Sequence, residues 1–353
     1  MNIFRWKICQ NLKTRVDYVI MKGSMVKQKQ TTIRDVAEAC ALSKTIVSYV
    51  MSNDPKCRIS DVKRELIHKT AEKLGYRPNF AARSLSLKKY HTIGLLFHSI
   101  RNYVYTELLA NIQKRLSASN YATIFDFWEA PEESPKAFDA VLSRGVDGII
   151  TCHEDHSLIP PGFPAVLLHS SNPKYDSIVL ERTESLREAT NYLLDLGHSA
   201  IGTLCLNMEL YGPIIRECFR ERGIKFDNSF VYGGHGYSED GYKAMRQLLA
   251  AAKRPTALIC CNDTVAIGGI AAAGEAGLRL PEEMSFIGSD NIQLGRFSNP
   301  SLTSCGVELD ELAGKLVELM LRRLNTPEAE ILSLIIPQKL FIRNSTVPTH
   351  SYP

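Results

Sequence analysis

From about residue 90 onward, short apolar segments alternate with amphipathic stretches long enough to form helices. This alternation predicts parallel β-sheets flanked by α-helices. Seven strand segments exceed what one sheet comfortably holds, and the chain has a natural midpoint near Asp176. We therefore expect two similar subdomains and a ligand cleft beyond the carboxyl ends of their strands. The strand segments are HTIGLLF, ATIFDFW, VDGIIT, PAVLLHS, SAIGTLC, ALICC and MSFIGSD, separated by helical stretches such as 107–119 and 186–196.

Residues 31–74 instead predict three short helices, because apolar residues recur there at helical spacing behind residues that cap helices. Thr32, Ser43 and Ser60 occupy the cap positions, and Gly75 is suited to end the third helix. A three-residue break at 41–43 joins the first two helices, which is the helix-turn-helix pattern. A small helical bundle without DNA-binding function is the alternative. The second helix is expected to expose Lys44, Thr45, Ser48 and Tyr49, and the third to bury Val62, Leu66, Ile67 and Leu74.

Positive charge is concentrated at the amino-terminal end of the chain. Residues 1–90 carry 19 lysine and arginine residues against 7 acidic residues, whereas the remainder carries 23 against 31. A basic end on a mildly acidic body suits a protein that binds a polyanion and has a separate regulatory part. A solvated basic tail is the alternative.

The sequence lacks the signals of several other protein classes. The nine cysteines are scattered without zinc-ligand spacing, so we expect reduced thiols in a cytoplasmic protein with no metal and no cofactor. No apolar run is long enough to span a bilayer, so we expect no membrane partner. Residues 1–24 lack the apolar stretch of a secretion signal, and Met25 opens a basic lead-in, which predicts that 1–30 is a disordered or misassigned extension. Glycine-rich phosphate loops and nucleophile elbows are absent, which argues against an enzyme.

Three blocks of sequence resemble the LacI/GalR family of bacterial transcriptional regulators. They are TTIRDVAEACALSKTIVSYVMSN followed by LGYRPNFAARSL, the run RPTALICCNDTVAIGGIAAAGEAGLRLPEEMSFIGSDN, and PSLTS, and the similarity extends from about residue 31 to about residue 323. The resemblance implies an all-α helix-turn-helix headpiece and a periplasmic-binding-protein-like α/β core of two doubly wound parallel-sheet subdomains. The domains expected are an extension at 1–30, the DNA-binding domain at 31–77, a hinge helix and linker at 78–90, and the effector-binding and dimerisation domain at 91–353.

The resemblance further implies a repressor that binds a near-palindromic operator as a homodimer or a higher oligomer. A small metabolite is expected to control its DNA affinity, and a sugar is the expected class of metabolite. Tyr49 stands where the family commonly has Arg, and Ala41 where it usually has Gly, so the operator sequence and the turn are expected to differ. The DNA-binding residues implied are Thr32, Ser43, Lys44, Thr45, Ser48, Tyr49, Asn79, Ala82, Arg83 and Leu85, with Leu85 wedged into the minor groove. Three of these residues have alternative roles. Lys44 could contact a phosphate, Tyr49 could pack on the third helix, and Leu85 could belong to a hydrophobic core.

The effector-binding residues implied by the resemblance are Tyr105, His169, Tyr211, Asn262 and Asp290. His169 stands where many relatives have Asp, Tyr211 where sugar-binding members usually have Arg, and the pair at 181–182 is Glu-Arg instead of Asp-Asn. A pocket that has lost its effector is the alternative. Asp263 and Asn291 are expected to cap the helices that follow them. Weaker candidates for the pocket are Phe127, Trp128 and His153.

A sugar-binding or sugar-modifying cytoplasmic protein with an incidental basic leader is the main rival, and a sugar-converting enzyme is a more distant one. Both rivals leave the helix-turn-helix and hinge motifs without a role. Salt-sensitive binding to promoter DNA is expected of a regulator and of neither rival, so this measurement would distinguish them.

Overall fold

The computed structural model describes residues 31–51, 57–76 and 89–349 of the chain. These residues belong to two units, with 31–76 in the first and 89–349 in the second. The first unit is helical, and the second is built on two β-sheets. The predicted extension at 1–30 and residues 78–88 of the predicted hinge lie outside the described residues.

The helical unit has three helices around one small apolar core. They are α1 (Ile33–Ala39), α2 (Lys44–Met51) and α3 (Asp61–Lys73). Each helix contributes fully buried side chains, among them Val36, Val47 and Ile67. Burial of this shared face holds the short helices together, since helices of this length are marginal on their own in water.

Capping residues set where the first two helices begin. The Thr32 hydroxyl accepts a hydrogen bond from the Asp35 backbone N–H at 3.4 Å, and the Asp35 carboxylate accepts one from the Thr32 N–H at 2.6 Å. The Ser43 hydroxyl accepts one from the Ile46 N–H at 3.3 Å. The predicted caps at Thr32 and Ser43 are therefore confirmed. Ser60 occupies the cap position of α3, but within the described residues its side chain makes no capping bond.

The third helix buries a narrower face than its sequence predicts. Ile67 and Ala71 are buried, whereas Val62 is 78% exposed and Leu66 47% exposed. Leu74, which follows the last helical residue, is 38% exposed. The prediction of burial was wrong for these three residues, because the short α1 and α2 cover only the i, i+4 pair that faces them.

Two residues of the helical unit have left-handed backbone conformations. Gly75 has φ +64° directly after the end of α3, which confirms it as the residue that stops that helix. Ala41, in the turn between α1 and α2, has φ +53°. That position favours glycine, so alanine is held there at a conformational cost of about 1 kcal/mol.

The first lobe of the larger unit is built on a six-stranded parallel sheet. Its strands are β1 (Thr92–His98), β2 (Ala122–Trp128), β3 (Gly148–Thr151), β4 (Ala165–Leu168), β5 (Asp176–Glu181) and β11 (Ser333–Pro337), and its helices are α4 (Tyr103–Ala118), α5 (Ser134–Leu142) and α11 (Leu309–Asn325). The strands lie in the order β11-β5-β4-β3-β1-β2. Leu108 of α4 and Leu316 of α11 share a buried core with Leu95 of β1.

The second lobe repeats this arrangement. Its strands are β6 (Ile201–Leu204), β7 (Val231–Tyr232), β8 (Ala257–Cys260), β9 (Ser285–Ser289), β10 (Thr303–Gly306) and β12 (Lys339–Phe341), and its helices are α6 (Thr183–Asp195), α7 (Gly212–Glu221), α8 (Ser238–Ala250), α9 (Asp263–Glu275) and the short α10 (Gln293–Arg296). The strand order is β12-β10-β9-β8-β6-β7, and only the pairing of β12 with β10 is antiparallel among the described strands. The predicted pair of similar parallel-sheet subdomains is confirmed.

The chain passes between the lobes at three places. It leaves the first lobe at Arg182 after β5, returns at Val307 after β10, and crosses again at Gln338 between β11 and β12. The predicted midpoint at Asp176 was wrong by about one strand. Asp176 begins β5 inside the first sheet, where it is fully buried and accepts a hydrogen bond from Arg323 Nε at 2.8 Å.

All seven predicted strand segments are strands, whereas five further strands were missed. β7 and β12 are too short to show a pattern, and β11 alternates between exposed and half-buried residues. β10 and the first half of β5 are buried but carry polar residues, including Ser304 and Asp176. Apolar periodicity alone does not reveal such strands.

Candidate functional site

Four residues of α2 form one exposed face of the helical unit, which we call the α2 face. They are Lys44, Thr45, Ser48 and Tyr49. Val47 and Val50, on the opposite side of the same helix, are fully buried. The predicted division of α2 is therefore confirmed. The α2 face offers an ammonium group, two aliphatic hydroxyls and a phenol, which are groups that hydrogen-bond base edges or phosphates.

The other residues predicted to bind DNA divide into two groups. Thr32 and Ser43 are exposed at the starts of α1 and α2, and both hydroxyls already accept a capping hydrogen bond. The hinge residues lie outside the described residues. They are Asn79, Ala82, Arg83 and Leu85.

A cavity of about 250 Å³ lies between the two lobes of the larger unit. Its walls include residues that directly follow strands β4, β6, β8 and β9, so it lies beyond the carboxyl ends of the strands, as predicted for ligands of this fold. All three crossings also contribute to its lining, through Arg182, Val307 and Gln338. A ligand that fills this cavity therefore touches both lobes and the segments that connect them.

An ion pair between a half-buried arginine and a buried aspartate lies in the wall of the cavity. Arg182 Nη2 lies 3.5 Å from Asp290 Oδ1, and the Asp290 residue is only 6% exposed. Burial raises the pKa of the Asp290 carboxyl, and the guanidinium of Arg182 partly offsets this effect. The Asp290 backbone has φ +102°, and its N–H donates to the Cys305 carbonyl at 2.6 Å. These two features fix the position of the carboxylate at the carboxyl end of β9. Asp290 thus lies where it was predicted, and its partner Arg182 belongs to the Glu-Arg pair at 181–182 that the sequence marked as a departure in the pocket.

Tyr105 and His169 form an aromatic wall on the first-lobe side of the cavity. Their ring centroids are 6.3 Å apart in an edge-to-face arrangement, and Tyr105 also packs on Phe97 at 5.5 Å. Desolvation between the lobes, together with Arg182, lowers the pKa of the His169 imidazole, which favours its neutral form. Both predicted residues line the cavity. The wall can stack on the flat face of a ligand and offer a neutral imidazole for hydrogen bonding.

Asn262 lines the cavity while capping α9. Its Oδ1 accepts a hydrogen bond from the Val265 N–H at 2.8 Å, and its Nδ2 donates to the Gly236 carbonyl at 2.8 Å. The amide side chain is therefore held rigidly, with one donor hydrogen and one lone pair left for a ligand.

The caps predicted at Asp263 and Asn291 were wrong. The Asp263 carboxylate is fully buried and accepts hydrogen bonds from the Ile292 N–H at 2.8 Å and the Ser304 hydroxyl at 2.6 Å. Asn291 donates to the Val307 carbonyl at 3.2 Å. Both side chains join the loop after β9 to neighbouring segments. Asn262 takes the cap position of α9, and Ile292 takes that of α10.

Tyr211 does not line the main cavity among the described residues. It lies at the start of α7, on an adjoining pocket of about 40 Å³ that shares Arg182 and Gln338 with the main cavity. Its phenol interacts with the Arg182 guanidinium. Tyr211 therefore contacts Arg182 from the adjoining pocket and does not face the main cavity.

The weaker pocket candidates belong to the first lobe's own packing. The rings of Trp128 and His153 lie 4.8 Å apart, and both pack on Phe138. Neither these residues nor Phe127 is among the described residues that line the cavity.

A set of polar contacts that the sequence did not predict joins the two lobes; we call it the interlobe latch. The Arg101 guanidinium of the first lobe lies over the Tyr237 ring of the second lobe at 4.2 Å and contacts Glu239 at 3.3 Å. The Tyr237 hydroxyl donates to Glu129 of the first lobe at 2.9 Å. Ser99 donates to the same carboxylate at 2.7 Å, and this bond is the main reason that the pKa of Glu129 is lowered. The contacts that cross between the lobes join residues more than 100 positions apart, so no local sequence pattern indicates the latch.

No cluster of three or more histidine, cysteine or acidic side chains in the described ranges could hold a metal ion. No helix in those ranges is long and apolar enough to cross a membrane.

Comparison with known protein families finds two matches along the chain. Residues 32–79 match the model of bacterial regulatory proteins of the lacI family, and residues 190–346 match a periplasmic binding protein-like domain. The chain is 31% identical over 330 residues to the HTH-type transcriptional repressor PurR of Pasteurella multocida, covering 89% of this chain and 98% of the relative. It is 28% identical over 337 residues to the repressor of the same name from Klebsiella pneumoniae, covering 89% and 96%.

Solved structures of similar fold agree with these matches. The lac repressor dimer bound to operator and the anti-inducer ONPF is similar with a TM-score of 0.76 at 23% identity, over 90% of this chain and all of that chain. A LacI family transcriptional regulator from Enterococcus faecium with bound ribose has a TM-score of 0.66 at 26% identity, over 73% of this chain and all of that chain.

Proposed function

Because this chain belongs to the LacI family of DNA-binding transcriptional repressors with an effector-binding core, we propose that it represses transcription as a homodimer on a near-palindromic operator. A small metabolite in the interlobe cavity controls its affinity for DNA, and a carbohydrate is the proposed class. The protein acts in the bacterial cytoplasm. Its curated relatives are named as repressors, and the similar dimer was solved on operator DNA.

The observation that carries this proposal is the composition of the cavity wall. It combines residues of both lobes with residues of all three crossings, so a ligand there interacts with every connection between the lobes. A ligand that prefers one arrangement of the lobes shifts the population toward it. Control of DNA binding by a ligand in the cavity requires a differential interaction of this kind.

The carbohydrate assignment rests on the polar groups that converge in the cavity. The Arg182–Asp290 pair supplies charged donors and acceptors for sugar hydroxyls, and Tyr105 supplies a ring on which a sugar face can stack. The similar regulator from Enterococcus faecium was solved with ribose, which supports the same class here.

On the DNA side we propose that Lys44, Thr45 and Tyr49 of the α2 face enter the major groove. A tyrosine hydroxyl cannot make the paired hydrogen bonds with which arginine recognises guanine, so the operator differs at the base that Tyr49 meets. Thr32, Ser43 and Ser48 contact phosphates. Asn79, Ala82, Arg83 and Leu85 act from the hinge in the minor groove.

The proposal is tested by fluorescence anisotropy with the purified protein, its own upstream DNA and a random duplex of equal length. We expect tighter binding to the upstream DNA, and a steep loss of affinity as salt rises, since several phosphate contacts release counterions. A thermal-shift screen with sugars, and with nucleobases as the comparison class, identifies the ligand to add. Equal affinity for both duplexes, with and without every ligand that stabilises the protein, would contradict the proposal.

A further inference from the structure

Two cysteines face each other at the ends of adjacent strands in the wall of the cavity. β6 and β8 pair in parallel with Leu204 opposite Cys260, so the next residues, Cys205 and Cys261, are also opposite each other. Both residues line the cavity and both are free thiols. Neighbouring strands lie about 4.8 Å apart, which is within the range of about 4.4–6.8 Å between the Cα atoms of disulfide-bonded cysteines.

The loop 234–236 packs against both sulfur atoms. A side-chain carbon added at Gly234 would lie 2.5 Å from the Cys205 sulfur, and one added at Gly236 would lie 3.8 Å from the Cys261 sulfur. Cys205 itself has φ +57°, and its N–H donates to the Tyr232 carbonyl at 2.6 Å. The two thiols therefore lie side by side between the ends of β6 and β8 and the backbone of the loop 234–236.

From this geometry we propose that Cys205 and Cys261 are a dithiol modification site that peroxide oxidises to a disulfide within the ligand cavity. The site is an addition to the function proposed above, and its chemistry does not depend on that function.

The two thiols are unequal, which gives the oxidation an order. The neighbouring Cys261 side chain lowers the pKa of the Cys205 thiol, whereas Cys205 together with burial raises the pKa of Cys261. The Cys205 thiolate attacks one oxygen of hydrogen peroxide and the O–O bond breaks, so that Cys205 becomes a sulfenic acid. The hydroxide that leaves takes up the proton that Cys205 released and becomes the first water. The Cys261 sulfur then attacks the Cys205 sulfur, the S–S bond forms, the S–O bond breaks, and the leaving hydroxide takes the Cys261 proton. Two thiols lose two electrons in all, and one peroxide becomes two waters.

Disulfide formation would change the cavity wall. It draws the sulfur atoms to about 2.05 Å and removes two thiol groups from the lining. It also acts on the loop 234–236, whose Gly236 carbonyl holds the Asn262 side chain at 2.8 Å. An effect of oxidation on ligand affinity, and hence on DNA binding, rests on the proposed function.

The test uses the reduced full-length protein treated with a slight excess of hydrogen peroxide, followed by peptide mapping by mass spectrometry. We expect a linked Cys205–Cys261 peptide, a loss of two titratable thiols, and recovery of both with dithiothreitol. Cys57, a half-buried thiol of the helical unit, serves as an internal reference. Oxidation of Cys57 while Cys205 and Cys261 stay reduced, or a link between other cysteines, would overturn the proposal.

Two variants test the order of the reaction. In Cys261→Ser, dimedone should trap a sulfenic acid on Cys205, whereas in Cys205→Ser the labelling of Cys261 should be at least tenfold slower. Equal labelling of the two single variants would refute the assigned roles. The mapped link in the unaltered protein stands even if a variant fails to fold. Operator binding by the fully reduced protein tests the proposed function separately, so failure of one leaves the other intact.

Discussion

Among single residues, Asp290 is constrained in three ways. Its carboxylate is buried, its backbone is left-handed, and it forms an ion pair with one guanidinium group. We expect Asp290→Asn to keep the size and shape of the side chain. It loses the negative charge that pairs with Arg182 and accepts hydrogen bonds from the hydroxyls of a ligand. A hydrogen bond to a charged group is worth about 1.5–3 kcal/mol, so the midpoint of the ligand response should rise about 10- to 100-fold. DNA affinity without ligand should stay unchanged. The measurement is operator anisotropy titrated with the ligand from the thermal-shift screen.

Asp195→Asn is the matched control for this substitution. Asp195 lies in the same lobe and pairs with Arg222 at 2.7 Å, but its side chain is 64% exposed. Surface pairs contribute little, so this variant should respond to ligand like the unaltered protein. An unchanged ligand response in Asp290→Asn would remove Asp290 from the binding site.

Ala41 is the second residue whose backbone predicts an outcome. Its φ of +53° disfavours any side chain, so Ala41→Gly should stabilise the helical unit by about 0.5–1 kcal/mol despite the added freedom of the unfolded chain. Hydrogen exchange of the α1 and α2 amides in the full chain measures this gain. Ala39→Gly, inside α1, should act in the opposite direction. Slower exchange in both variants, or in neither, would contradict the strain at Ala41.

At the scale of elements, local pattern predicted the strands that are apolar. Besides the short or half-exposed strands, it missed β5 and β10, whose buried polar residues depend on distant partners. β5 begins with the Asp176 carboxylate, which Arg323 satisfies from α11 at 2.8 Å. β10 contains Ser304, whose hydroxyl donates to Asp263 at 2.6 Å. The same limit applies to the site: the resemblance implied Asn262 and Asp290, which lie at the ends of strands, whereas Arg182 and Gln338 belong to the crossings. Their place in the cavity follows only from how three separate segments meet.

The predicted hinge is the element whose role is tested most directly by mutation, although it lies outside the described residues. If Leu85 wedges open a base step, Leu85→Ala should lower operator affinity at least about tenfold and change random-duplex affinity less than about twofold. Leu87→Ala removes the same side chain two residues later, where the resemblance assigns no DNA contact, and should leave both affinities nearly unchanged. Equal losses on both duplexes with Leu85→Ala would contradict the wedge.

For the larger unit as a whole, the lobes are joined in two ways. The three crossings are covalent and persist in every arrangement of the lobes. The interlobe latch is non-covalent, as is a hydrogen bond from the Gln293 N–H to Glu107 at 2.8 Å. Contacts made only when the lobes are close stabilise that arrangement, and a ligand that needs it then binds more tightly.

Tyr237→Phe isolates this contribution, because the ring stays under Arg101 while the hydroxyl that donates to Glu129 is lost. One such hydrogen bond is worth about 0.5–1.5 kcal/mol, so we expect ligand affinity to fall about two- to tenfold, chiefly through faster dissociation. Calorimetry and stopped-flow measurements with the identified ligand give both quantities. Tyr242→Phe is the matched control, because its hydroxyl donates to Glu275 within the second lobe. A similar loss of affinity in both variants would mean that the effect is one of general stability, and the latch would then have no role in holding the lobes together around a ligand.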